Sequence, residues 1–153
     1  MPTSSIRLVG ATVLRQVARV IEPHERPSVQ PLIDCMRRRI SESKFDRGIA
    51  APQLGESVRA FVVRARPEDT PVAMVNPRVV RSTGELVVEW ETCMSVPHYA
   101  ALVEVGRAKS HIPCSIGMFG SMLHLPHPML MPTCCTNATL CALAAPPFCG
   151  CRV

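Results

Sequence analysis

Two stretches of this 153-residue chain carry residue types that could do chemistry: Gly48-Ile49-Ala50-Ala51-Pro52-Gln53 and Glu91-Thr92-Cys93-Met94-Ser95. As a thiolate, Cys93 can bind a soft or borderline divalent metal. A single cysteine without such context is more simply a small buried hydrophobe. Gln53 places a side-chain amide, both donor and acceptor, at the close of a loop of glycine and proline. Taken alone, the same pattern is ordinary turn chemistry. A divalent metal held with an open position would activate a bound water by lowering its pKa.

In this order, and with Asn76-Pro77 between them, the two stretches resemble two of the three signature motifs of the peptide deformylases; the likeness runs over residues 11–103. The resemblance implies a metal-dependent amidase that removes the formyl group from the N-terminal formylmethionine of nascent polypeptides. Fe2+ or Zn2+ would be held by one cysteine and two histidines, with the glutamate between those histidines moving the proton. Matched residue by residue, Cys93 would be the metal ligand. Gln53 would donate to the oxyanion, with the backbone N–H of Met94 as second donor. Gly48, Ile49 and Glu91 would contact substrate. The implied partners are N-formylmethionyl peptides and the ribosome they leave.

Three departures bear on this. Asp46 and Thr92 stand where the family has glycines, and Met94 where it has leucine. The third motif, a helix bearing His-Glu-x-x-His, does not occur in the sequence. His98 and His111 are isolated, and both read as exposed loop residues. His124-Leu125-Pro126-His127 has a spacing of three with Pro126 between the histidines and Pro128 after them, which a regular helix would not tolerate. All twelve acidic residues lie at or before Glu104, so no general base can come from further along. As written, the chain is expected to be catalytically impaired, because two metal ligands and the general base are missing.

Composition changes sharply near the same point. From Ile112 onward Arg152 is the only charged residue, and six of the eight cysteines gather there: Cys114, Cys134, Cys135, Cys141, Cys149 and Cys151. Low charge, dense proline and lost periodicity are what translation outside a natural reading frame would give. The competing expectation is a zinc module built from Cys134-Cys135 and Cys149-Gly150-Cys151, although the usual two-residue gap between paired ligands is absent. The expected organisation is an N-terminal segment at 1–10, an incomplete deformylase-like domain at 11–103, and a low-charge tail at 104–153 that is disordered or misframed.

The net charge of +5 and pI near 8.9 come from scattered basic residues, with Arg37-Arg38-Arg39 the single run. That triplet reads as a solvated helix face, so no nucleic-acid partner is expected. No apolar run approaches the ~18–20 residues of a membrane span. Arg7, Arg15 and Arg19 with no acid before Glu22 give residues 1–21 the character of an organelle-targeting segment. A mitochondrial or other organellar location is therefore the expectation, with the cytoplasm as the alternative.

The elements that must position the two motifs follow from pattern. Leu32, Ile33, Met36 and Ile40 recur at helical spacing and predict a helix from Ser28 to about Phe45, with Ser28 as N-cap, Pro31 in the first turn and Cys35 beside the apolar face. Val58–Arg64 and Pro71–Val75 read as strands, and Val79-Val80 with Leu86–Trp90 as a hairpin around Ser82-Thr83-Gly84. The predicted class is α+β: an N-terminal helix plus antiparallel strands of the peptide deformylase fold, the C-terminal helix missing and the tail irregular. Without that helix, the inner face of the sheet is expected to be open and prone to aggregation. The functional alternative is a non-catalytic remnant that binds peptides.

Overall fold

The computed structural model describes residues 5–77 and 86–106. The hairpin predicted around residues 82–84, His111, His124, His127 and the cysteine-rich stretch lie outside them. The architecture is α+β. One helix, α1 (Arg26–Glu42), packs on a three-stranded antiparallel sheet of β1 (Gly48–Ala50), β2 (Ala60–Val63) and β3 (Val72–Val75) in the order β1-β2-β3. A two-stranded hairpin, β4 (Leu86–Cys93) and β5 (Val96–Gly106), follows.

The apolar positions predicted for α1 all face inward: Leu32, Ile33, Met36 and Ile40 are buried with Val29, and Cys35 packs at their edge. The start of the helix differs from expectation. A short 3-10 turn at Pro23–Glu25 leads into α1, and Pro27 rather than Pro31 occupies its first turn. Ser28 is therefore inside the helix, where its hydroxyl donates to the Glu25 carbonyl at 2.7 Å. Pro31 lies deeper still and forgoes one intrahelical bond.

Strand alternation divides the sheet residues cleanly. Ile49, Ala60, Val62, Ala73 and Val75 join the helix core, whereas Ala50, Phe61, Val63 and Met74 form a second cluster on the opposite face. The register lines up Ala50, Phe61 and Met74 as one cross-strand row. These four residues are buried, with Phe61 only 4% exposed, so the expected open inner face is not found there.

Buried Arg64 joins the end of β2 to the end of α1. Its guanidinium donates to the carbonyls of Ser43, Asp46 and Pro67, placing a cation where the last helical carbonyls carry partial negative charge. Asp46 serves this corner as well. Its carboxylate accepts the Ser43 hydroxyl at 2.6 Å, and its N–H donates back to that oxygen. The aspartate that departs from the family pattern thus closes a local turn.

Pairing in β4 and β5 runs from Leu86↔Gly106 to Thr92↔Ala100 and then jumps to Cys93↔Val96. The extra residues 97–99 bulge out, with His98 in left-handed conformation at φ 69°. His98 is exposed as expected, but it sits in a strand rather than a loop, and that strand was not predicted. Among the described residues no helix is long and apolar enough to cross a membrane.

Candidate active site

The stretch read as a loop from Gly48 begins as strand β1 itself and then closes in a single 3-10 turn, Ala51–Leu54, capped by Gly55 at φ 94°. All four residues of that turn are buried, so polar Gln53 must find its partners inside the protein. It does so with its whole amide. Oε1 accepts the Ala50 N–H at 2.9 Å. Nε2 donates to Ser95 Oγ at 3.2 Å and faces Cys93 Sγ at 3.6 Å. Gln53 is fully buried, and Cys93 and Ser95 are buried beside it.

The β4–β5 bulge explains how Cys93 and Ser95 reach this point. The reversal through Met94-Ser95, with the shift at Thr92/Cys93, turns both side chains inward while Thr92 stays exposed. The bulk of Thr92 therefore points away from the sulfur. Met94 is partly buried and packs with Ile6 against the helix core, which anchors the turn.

The structure brings together Gln53, Cys93 and Met94, with Gly48 and Ile49 one short strand away. Gly48 lies against β2: a Cβ there would stand 3.3 Å from the Val62 carbonyl oxygen, so a larger residue would push on backbone. Ile49 points into the helix core. Glu91 occupies β4 opposite Ala101, and its side chain lies outside those described.

Sequence reasoning missed Ser95 as the partner of Gln53, and it missed the N-terminal segment. Arg7 N–H donates to the Gln53 carbonyl at 2.8 Å and Val9 N–H to the Ser95 carbonyl at 2.8 Å. Residues placed in a separate 1–10 segment thus hold both motif loops. Main-chain bonds of this kind leave no side-chain signature to read.

Among the described residues no three His, Cys, Asp or Glu side chains converge as a metal cage. Cys93 offers one sulfur, which by itself neither fixes a geometry nor binds tightly. The described residues alone therefore do not fit a catalytic metal. What they present is the Gln53 side-chain amide beside a buried thiol.

Comparison with known proteins follows the same outline. The profile of the family described as polypeptide deformylase matches residues 3–112, a wider span than the 11–103 expected. Peptide deformylase 2 of Nostoc sp. is 37% identical over 103 residues, covering 62% of this chain and 57% of that protein. The Dictyoglomus turgidum peptide deformylase is 36% identical over 94 residues, with 60% and 57% covered. Among solved structures, the Met-Ala-Ser-bound class I type b peptide deformylase of Acinetobacter baumannii aligns with TM-score 0.62 at 29% identity, covering 70% of this chain and 74% of that one. The Thermotoga maritima peptide deformylase aligns with TM-score 0.59 at 31% identity, covering 69% and 68%. The chain spans a little over half the length of the curated relatives it matches.

Proposed function

The chain belongs to the peptide deformylase family, and from that premise we propose that its described residues form the formyl-recognition half of a deformylase site. In this reading it binds the N-formylmethionyl end of a peptide. The main chain of Gly48 and Ile49 borders the peptide, since the Ile49 side chain is buried in the helix core; Gln53 Nε2 and the Met94 N–H donate to the formyl oxygen, and Glu91 completes the substrate-binding set. Cys93 stands at the family's sulfur-ligand position for Fe2+ or Zn2+, and the described residues bring no cage of metal ligands together beside it. The 153-residue polypeptide binds without turning over, since its sequence contains no His-Glu-x-x-His pair to complete the ligand set.

The observation that carries this reading is the buried contact of Gln53 Nε2 with Cys93 Sγ, 3.6 Å across forty positions of sequence. A buried glutamine that only stabilised a turn would not need to meet a thiol from a distant hairpin. The Met-Ala-Ser peptide bound to the Acinetobacter relative supports the substrate class.

The test measures binding of formyl-Met-Ala-Ser and Met-Ala-Ser to the full chain, together with formate release with added Fe2+ or Zn2+. The expected result is preferential binding of the formylated peptide and no formate above the metal-only control. Equal affinities would sink the recognition reading. Metal-dependent formate release would show that the chain completes its own site.

A further inference from the structure

Two sets of hydrogen bonds meet at Ser95. Its carbonyl accepts the Val9 N–H at 2.8 Å, and its hydroxyl accepts Gln53 Nε2 at 3.2 Å. The Gln53 carbonyl accepts the Arg7 N–H, also at 2.8 Å. Arg7 and Val9 are two residues apart, so one short segment clasps the main chain on either side of the Gln53–Ser95 contact.

A primary amide can sit in two flipped orientations, and each Nε2 hydrogen can serve one acceptor. Here the Ala50 N–H fixes Oε1, which excludes the flipped state. With Oε1 fixed, the two Nε2 hydrogens face Ser95 Oγ and Cys93 Sγ. Sulfur is the weaker acceptor and the distance is long, so the hydrogen facing Cys93 costs less to redirect. The hydrogen on Ser95 is the anchor.

We propose that Ser95, held by the Val9 N–H, is a positioning residue that anchors the Gln53 amide so that its second N–H is aimed at the formyl oxygen. This rests on the recognition reading above. Ser95 touches no part of the substrate and acts through Gln53. Removing its hydroxyl releases the torsion that aims the donor, while the surface that would meet the rest of the peptide is untouched.

The test uses the full chain and compares Ser95→Ala with wild type. In Ser95→Ala the preference for formyl-Met-Ala-Ser over Met-Ala-Ser should fall by about tenfold, as expected for one misdirected buried hydrogen bond. Affinity for Met-Ala-Ser should stay within about twofold. In the peptide-free chain, the Gln53 side-chain amide pair should shift and exchange faster with solvent by proton–nitrogen NMR. Val9→Pro, which deletes the N–H, should move the same readouts in the same direction, and Val9→Ala, which keeps it, should restore them. A Ser95→Ala chain with unchanged preference and an unchanged Gln53 amide would overturn the proposal. Should wild type itself show no preference for the formyl peptide, the recognition reading alone fails. The amide measurements on the peptide-free chain would then still decide whether Ser95 anchors Gln53, and unchanged exchange would overturn it.

Discussion

Asn76 holds the backbone of Ile21 at both its donor and its acceptor: the Ile21 N–H donates to Oδ1 at 2.9 Å, and Nδ2 donates to the Ile21 carbonyl at 2.8 Å. Its own N–H donates to the Arg59 carbonyl, and its φ of 51° lies in the left-handed region that asparagine tolerates better than most residues. The segment carrying Ile21 is also tied down by the isolated bridge between Arg19 and Val58. Asn76→Ala should therefore destabilise the chain by about 2–4 kcal/mol, by stranding a donor and an acceptor near buried Ile21 and by straining the backbone. Asn76→Asp keeps the acceptor but sets a carboxylate against the Ile21 carbonyl, and should be at least as costly. Denaturant midpoints for the two variants check both statements.

Gln53→Glu tests the site with little change of shape. A carboxylate can still accept the Ala50 N–H, but it has no hydrogens for Ser95 Oγ or for a formyl oxygen. The variant should lose its preference for a formylated peptide, and burial without its donors should lower the thermal midpoint. Retained preference, measured by competition between formyl-Met-Ala-Ser and Met-Ala-Ser, would mean that Gln53 does not contact the formyl group.

These bonds also mark the limits of what could be read from the chain. Helical spacing located the buried face of α1 because Leu32, Ile33, Met36 and Ile40 obey one period, whereas the start slipped because three prolines lie close together and only tertiary context selects among them. The residues of the site were legible through their motifs, but their partners were not. Arg7 and Val9 act through backbone N–H groups that every residue but proline carries. Strand β5 was hidden because Pro97 and His98 break the alternation, and in the fold that break is the bulge that turns Cys93 and Ser95 inward. Asn76-Pro77 was legible as the end of a strand. The double hold of Asn76 on a residue more than fifty positions earlier was not.

Acid should loosen the lead-in to α1. The Arg19 guanidinium donates to the Glu25 carboxylate at 2.8 Å and the Glu22 N–H donates to the same oxygen at 2.9 Å, which together hold the Glu25 pKa down to about 2 from 4.5. A carboxyl whose folded pKa is depressed binds its proton more readily in the unfolded chain. Its stabilising contribution is therefore complete above pH 4.5 and is lost as pH falls toward 2. Glu25→Gln should flatten the dependence of stability on pH in that window and leave it unchanged near neutrality apart from the lost ion pair. Because Arg19 is exposed, added salt should shrink the difference. Denaturant midpoints from pH 2 to 6 at two ionic strengths are the measurement, and parallel profiles for wild type and variant would refute the assignment.

Trp90, the chain's one tryptophan, stands directly opposite Leu102 across the β4–β5 ladder, and the two are 72% and 58% exposed. Val88, two residues earlier and so on the same face, is exposed as well. A two-stranded hairpin is marginal alone, and an apolar face of this kind favours association over solution. The aggregation expected at the inner sheet face thus has its counterpart here, while Phe61 and Met74 are covered. Tryptophan emission should resemble that of the free amino acid in water and be readily quenched by acrylamide at low protein concentration, then shift to the blue as concentration rises. Trp90→Lys should suppress concentration-dependent light scattering, yet change folding stability by no more than about 0.5 kcal/mol, since the side chain leaves water only on association. A blue-shifted, protected Trp90 in dilute solution would mean that this face is already covered within a single chain.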